Sequence, residues 1–220
     1  MISTTLAIAL LIGTVLMLIP VIILAVWYKV KIWKSVIATC LLTVAGTVGT
    51  YIWYYFENGS LGGISFYGAV FAVPVVFVLL TFLLRIPYST LMDLCAPAEC
   101  IMLAFMKVQC LTSGCCGGRV LFTDSHGVQI VFPSQIAELI NGLIIMVVLM
   151  VLGRKKPNRG DLYPVYMIIY GVTRFVLNFL RAQQSDFFLG MSPGNVWSIL
   201  SVMAGMAWLG VLWHKKKTTD

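Results

Sequence analysis

The stretch "KVQCLTSGCCGGR", Lys107 to Arg119, holds three of the chain's six cysteines, with a cation at each end. Lys107 and Cys110 are three apart and share a face if the segment is helical. Gly114 and Gly117 flank Cys115 and Cys116, so the backbone is free to turn tightly there. Cations beside a thiol favour its thiolate. Four chemistries fit these residues. The cysteines are small side chains filling a helix end, or one of them is a nucleophile, or two form a redox pair, or Cys110, Cys115, Cys116 and His126 hold a metal. Adjacent cysteines are awkward ligands for one tetrahedral ion, so no metal and no organic cofactor is expected. The other histidine, His214, falls in the basic C-terminal tail and is read as solvated or interfacial.

The elements that carry these residues are membrane helices. Sixty per cent of the residues are apolar, 10% are charged, and mean hydropathy is +0.96. That excludes an ordinary soluble domain. A bilayer-crossing helix takes about 20 apolar residues. Apolar runs cover about 4–28, 35–56, 64–86, 91–112, 134–153, 161–180 and 195–213, which predicts seven spans in one polytopic domain over 1–220. The segment 113–133 reads as irregular. The first run has no basic residues before it and reads as a span rather than a removed leader. The expected fold class is therefore an all-α integral membrane protein.

Charge sets the orientation. Lys29, Lys31, Lys34, Arg85, Arg154, Lys155, Lys156, Arg159, Lys215, Lys216 and Lys217 all fall on one side of a seven-span arrangement. Basic loops stay cytoplasmic, so the N-terminus is expected outside and the C-terminus inside. The net charge of +7 is then topology, and nucleic acid is not an expected partner. Topology does not require Lys107, Arg119, Arg174 or Arg181. Asp93, Glu99 and Glu138 also sit in apolar runs. Ionisable groups inside a bilayer line polar cavities or pair with one another. Structural ion pairing is one reading. A site for an anionic phospholipid headgroup is the other, because a guanidinium matches phosphate geometry.

The segment "DLCAPAECIMLAFMKVQCLTSGCCGGR" resembles the central signature of the bacterial prolipoprotein diacylglyceryl transferase family, through Asp93, Ala96, Pro97, Lys107, Cys110, Gly114, Cys115, Gly118 and Arg119. "GGISFYGAV" (62–70), "FPSQIAELINGL" (132–143), "YGVTRFVLNFLR" (170–181) and "SPGNVWSIL" (192–200) resemble further segments of that family in the same order. The resemblance implies a seven-span enzyme of the bacterial plasma membrane. Such an enzyme moves the diacylglyceryl group of phosphatidylglycerol onto the lipobox cysteine of a preprolipoprotein. It implies catalytic roles at Tyr67, Lys107, Arg119, Tyr170 and Arg174, and the nucleophile reading of the thiols adds Cys110, Cys115 and Cys116 as candidate catalytic residues. It implies substrate binding by Asp93, Ser134, Gln135, Glu138, Arg181 and Asn195. Four positions depart from the family pattern: Tyr67 stands for a histidine, Lys107 for an arginine, Cys110 for an asparagine and Cys115 for a glutamate. Tyrosine is a poor base near neutral pH. An enzyme thiol attacking the glyceryl carbon would end as a stable thioether, whereas attack on an ester carbonyl gives a thioester that turns over. A cysteine-dependent phospholipid acyltransferase, a thiol-redox membrane enzyme and a non-catalytic lipid-binding protein are therefore the alternatives.

Overall fold

A computed structural model describes residues 4–60, 63–155, 160–182 and 187–218. Lys156 and Arg159 of the basic loop, and Gly62 of the "GGISFYGAV" segment, lie outside the described residues. Seven helices run in chain order: α1 (Thr4–Trp27), α2 (Ile32–Asn58), α3 (Tyr67–Leu84), α4 (Tyr88–Ser113), α5 (Ser134–Lys155), α6 (Leu162–Asn178) and α7 (Pro193–Lys217). Six of them, all but α6, are long and apolar enough to cross a bilayer. Their outer faces are apolar: Val75, Leu79, Phe82 and Leu83 on α3 are exposed, Phe82 at 76%. Such faces suit lipid rather than water.

The sixth expected span, about 161–180, is shorter in the structure. α6 has 17 residues, about 25 Å of rise against a hydrocarbon core of about 30 Å. Its last turns carry Arg174 and Asn178, which are enclosed by neighbouring helices. Val172 and Val176 on the same turns stay exposed, so only one side of α6 is enclosed by its neighbours.

The reading of 113–133 as irregular is also corrected. Strands β1 (Val120–Thr123) and β2 (Gln129–Val131) form an antiparallel hairpin with a register irregularity between Val120 and Phe122. The turn explains itself. The Asp124 carboxylate accepts the N–H groups of His126 and Val128, at 2.9 and 2.8 Å, and Gly127 takes φ 81°. Asx turns of this kind reverse a chain cheaply. The hairpin lies at the bundle end reached by the C-terminus of α4. The opposite end carries Lys29, Lys31, Lys34, Arg85, Arg154 and Lys155. There the Lys34 ammonium donates to the Leu84 carbonyl at 2.6 Å, placing a cation on the C-terminus of α3.

Close approaches lock the helices. At Gly68 on α3 an added Cβ would fall on the Gly49 backbone of α2. Asp93, expected to bind substrate, is hydrogen-bonded to the start of α6. It is fully buried near the start of α4 and accepts the N–H groups of Gly160 and Leu162, at 2.9 and 3.0 Å. It sits about 21 Å of helix rise below Lys107, far from the hairpin end. Removing it leaves buried donors unmade, at about 1–3 kcal/mol each. Asp93→Ala is expected to lower the midpoint of thermal unfolding in detergent by about 5–10 °C. An unchanged midpoint would refute that contribution.

Candidate functional site

A cavity of about 1270 Å³ opens among α1, α2, α3, α4 and α6 and runs toward the hairpin end. Its deep part is lined by Leu10, Met17, Leu42, Val73, Met102 and Leu103, all apolar. Along α2 the lining continues through Thr39, Thr43, Thr47 and Thr50. Each of these hydroxyls donates to a carbonyl three or four residues earlier in its own helix, at 2.7–3.0 Å. The lining extends from Thr39 to Asn58, about 28 Å of helix rise.

The mouth is polar. Lys107, Arg174 and Arg181 line it, with Glu57 and Asn178. Lys107 on α4 pairs with Glu138 on α5 at 2.7 Å, and Arg174 on α6 pairs with the other oxygen of the same carboxylate. The side chains of Lys107 and Arg174 are each 11% exposed and that of Glu138 is 4% exposed. For Lys107 and Arg174 the structural ion-pair reading is met, and both of these cations also line the cavity. Tyr67 is buried at the start of α3 with its Oη 2.7 Å from Ser198 Oγ. Its ring lies 5.5 Å from that of Tyr170. Both tyrosines line the cavity.

The thiols sit at the same mouth. α4 ends at Gly114 with φ 68°, and Cys116 adopts φ 60°. A non-glycine residue in that region is strained by about 1–2 kcal/mol, and the start of α5 holds the turn in place. Ser134 Oγ donates to the Cys116 carbonyl at 2.6 Å, and Gln135 Nε2 to the Cys115 carbonyl at 2.7 Å. Ser134 and Gln135, expected to touch substrate, thus position the thiol turn. Gly118 follows with the Phe132 backbone where a Cβ would stand, and bridges to Arg181. The sulfurs of Cys110, Cys115 and Cys116 all lie within 4.8 Å of one another. A hydrogen bond from the Cys110 thiol, then Lys107 and Arg181, hold the Cys116 thiol well below the usual thiol range.

Other expected site residues fall elsewhere. Arg119 is exposed, does not line the cavity, and reaches the Phe179 carbonyl at 3.5 Å. His126 stays in the hairpin turn and is not part of the thiol cluster. Asn195 is buried behind the mouth, where Asn178 Nδ2 donates to its side-chain oxygen at 2.9 Å. Two acidic residues also line the cavity: Glu57, which sequence reasoning passed over, and Glu99, which it had marked as an ionisable group inside an apolar run. Glu57 accepts from Ser65 Oγ at 2.8 Å, and Glu99 accepts from Tyr163 Oη at 2.9 Å deeper in the bundle. Glu57 ends an aromatic run and Glu99 interrupts an apolar one, which is the signal that marks them.

The family model for prolipoprotein diacylglyceryl transferase matches residues 3–211. The chain belongs to the prolipoprotein diacylglyceryl transferase family. Curated relatives named phosphatidylglycerol–prolipoprotein diacylglyceryl transferase agree. One from Chlorobaculum tepidum is 31% identical over 190 residues, covering 79% of this chain and 65% of the relative. One from Polaromonas naphthalenivorans is 30% identical over 172 residues, covering 72% and 62%. One from Geobacter sulfurreducens is 28% identical over 148 residues, covering 64% and 56%. The chain thus spans less than two thirds of the length of these relatives. Family membership and six long apolar helices make it a multi-pass membrane protein.

In this member of the diacylglyceryl transferase family the mouth makes two predictions. Glu138→Gln leaves Lys107 and Arg174 without a counter-charge, and breaking a buried pair costs about 3–5 kcal/mol. The thermal midpoint in detergent should fall by about 10 °C, and an unshifted midpoint would refute the triad. In reduced, chelator-treated protein, iodoacetamide should modify Cys116 at a rate nearly flat from about pH 6 to 8, because the thiolate already dominates there. An ordinary thiol gains roughly tenfold per pH unit in that range, and such a rise at Cys116, followed by peptide mass spectrometry, would contradict the geometry.

Proposed function

We propose that this chain transfers the diacylglyceryl group of phosphatidylglycerol, or of another anionic phospholipid, to the cysteine thiol of a preprolipoprotein carrying a lipobox. The carrying observation is a single cavity that joins apolar depth to a cationic mouth in a chain of this family. The deep walls take the acyl chains. Arg174 and Lys107, oriented by Glu138, face the phosphate together with Arg181. Tyr67 and Tyr170 border the glycerol. The acceptor sulfur attacks the glyceryl carbon, the carbon–oxygen bond to phosphate breaks, and glycerol phosphate leaves with the electron pair. Cations preorganised at the leaving oxygen lower that barrier in a low-dielectric site. Arg119, exposed beside the hairpin, meets lipid headgroups or the arriving acceptor rather than the reacting atoms.

The same reading makes α6 a seventh crossing and puts the hairpin end outside the cell, with the basic end in the cytoplasm. The membrane is then the bacterial plasma membrane. A second reading is favoured by one observation, the Cys116 thiol held beside two cations at the cavity mouth. On that reading an enzyme thiolate takes an acyl group from the phospholipid as a thioester.

A transfer assay separates the two. Protein in detergent is mixed with phosphatidylglycerol and a fluorescent lipobox peptide, and masses are followed. A diacylglyceryl gain on the peptide is expected, falling about 100–1000-fold in Arg174→Ala, the size of effect seen when one preorganised charge-stabilising donor is removed. An acyl adduct on Cys115 or Cys116, with no gain on the peptide, would overturn the transferase reading.

A further inference from the structure

We propose that Cys110, Cys115 and Cys116 form a three-thiolate site for zinc or a chemically similar soft divalent cation, with a fourth position open to the cavity that takes the acceptor thiol. The acceptor half rests on the transferase reading above; the metal half does not.

Geometry carries the first half. Zinc–sulfur bonds of about 2.3 Å at tetrahedral angles put ligand sulfurs about 3.8 Å apart. The three sulfurs lie within 4.8 Å of one another, so side-chain rotations alone close the set. Adjacent cysteines ordinarily diverge. Here positive φ at Gly114 and again at Cys116 turns the backbone so that both sulfurs approach Cys110. The strained turn is held from outside by Ser134 and Gln135, which bind the carbonyls of the two ligating residues. Supports of this kind are what orient metal ligands. Simple filling of a helix end requires neither the strain nor the braces. Charge agrees as well. Three thiolates around a divalent ion leave one negative charge, and Lys107 and Arg181 line the same mouth.

Chemistry carries the second half. A catalytic zinc keeps one position for water or substrate, and a coordinated thiol is deprotonated outright. The acceptor cysteine would lose its proton to solvent on binding and remain a thiolate near neutral pH. Its sulfur attacks the glyceryl carbon as the carbon–oxygen bond breaks, and glycerol phosphate departs toward Lys107, Arg174 and Arg181. The product thioether is neutral and a weak ligand, so it leaves the metal. The enzyme's own sulfurs are never alkylated, which removes the dead end that a thioether would otherwise impose. The ion also supplies the activation that Tyr67 cannot give as a base.

Cobalt(II) is the probe. Full-length protein in detergent, reduced and stripped with chelator, is titrated with cobalt(II) while thiolate-to-metal charge transfer is read in the near ultraviolet. Saturation at one cobalt per chain is expected, with displacement by zinc. The band should weaken or vanish in Cys110→Ser, Cys115→Ser and Cys116→Ser and persist in Cys40→Ser, whose thiol is exposed on the outside of α2. X-ray absorption on zinc-loaded wild-type protein needs no variant and should show three sulfur neighbours. Adding a lipobox peptide should raise the cobalt band by about one third, through a fourth thiolate, while its serine analogue does not. No stoichiometric band, or a shell of nitrogen and oxygen only, overturns the site. A band indifferent to the cysteine peptide overturns the acceptor role. Full diacylglyceryl transfer by metal-stripped protein overturns the acceptor role while leaving the transferase reading intact.

Discussion

Everything at the hairpin end depends on one carboxylate. Glu138 stands between Lys107 and Arg174, so a single acid on α5 fixes the angular setting of α4 and α6. In a bilayer, isolated cations at those positions would be expensive, and paired ones are tolerable. The pairing also leaves each cation with donors directed elsewhere. The cavity therefore receives positive charge that is already desolvated and already aimed. The same α5 start that presents Glu138 also presents Ser134 and Gln135 to the thiol turn. One helix turn thus sets both the cationic and the sulfur sides of the mouth.

Most of the bundle was legible in the sequence because lipid imposes a simple rule, long apolar runs between charges. Boundaries of α2, α4, α5 and α7 follow directly from it. The hairpin was less legible. Its strands have four and three residues and all are exposed, so burial never imposes an alternation on them. The "TDSHG" turn signal was present but had no flanking pattern to support it. α6 looked like a full span because composition counts apolar residues without knowing what surrounds them. Its polar last turns, with Arg174 and Asn178, were the local sign that one face of its end turns toward other helices.

Site residues divided along the same line. Motif resemblance brought Tyr67, Lys107, Cys110, Cys115, Cys116, Tyr170, Arg174 and Arg181 to one cavity, since a shared motif carries three-dimensional proximity within it. It did not show what holds Asp93, because nothing in a linear pattern reveals that two backbone N–H groups near residue 160 lie against that carboxylate. Arg119 shares the motif but leaves the bundle with the loop that Gly118 begins. The cysteines were legible as a cluster and illegible as a geometry, since their proximity depends on two positive backbone angles.

The threonines of α2 have a different consequence. Each hydroxyl has one proton, and each spends it on its own helix. What remains on the cavity wall is methyl groups and oxygens that can still accept but have no proton left to give. Such a surface asks nothing of a passing hydrocarbon chain. It offers no donor that must be satisfied and holds no obligatory water that must be displaced. On the proposed transferase reading, such a wall would let an acyl chain shift along α2 while the cations at the mouth hold the headgroup.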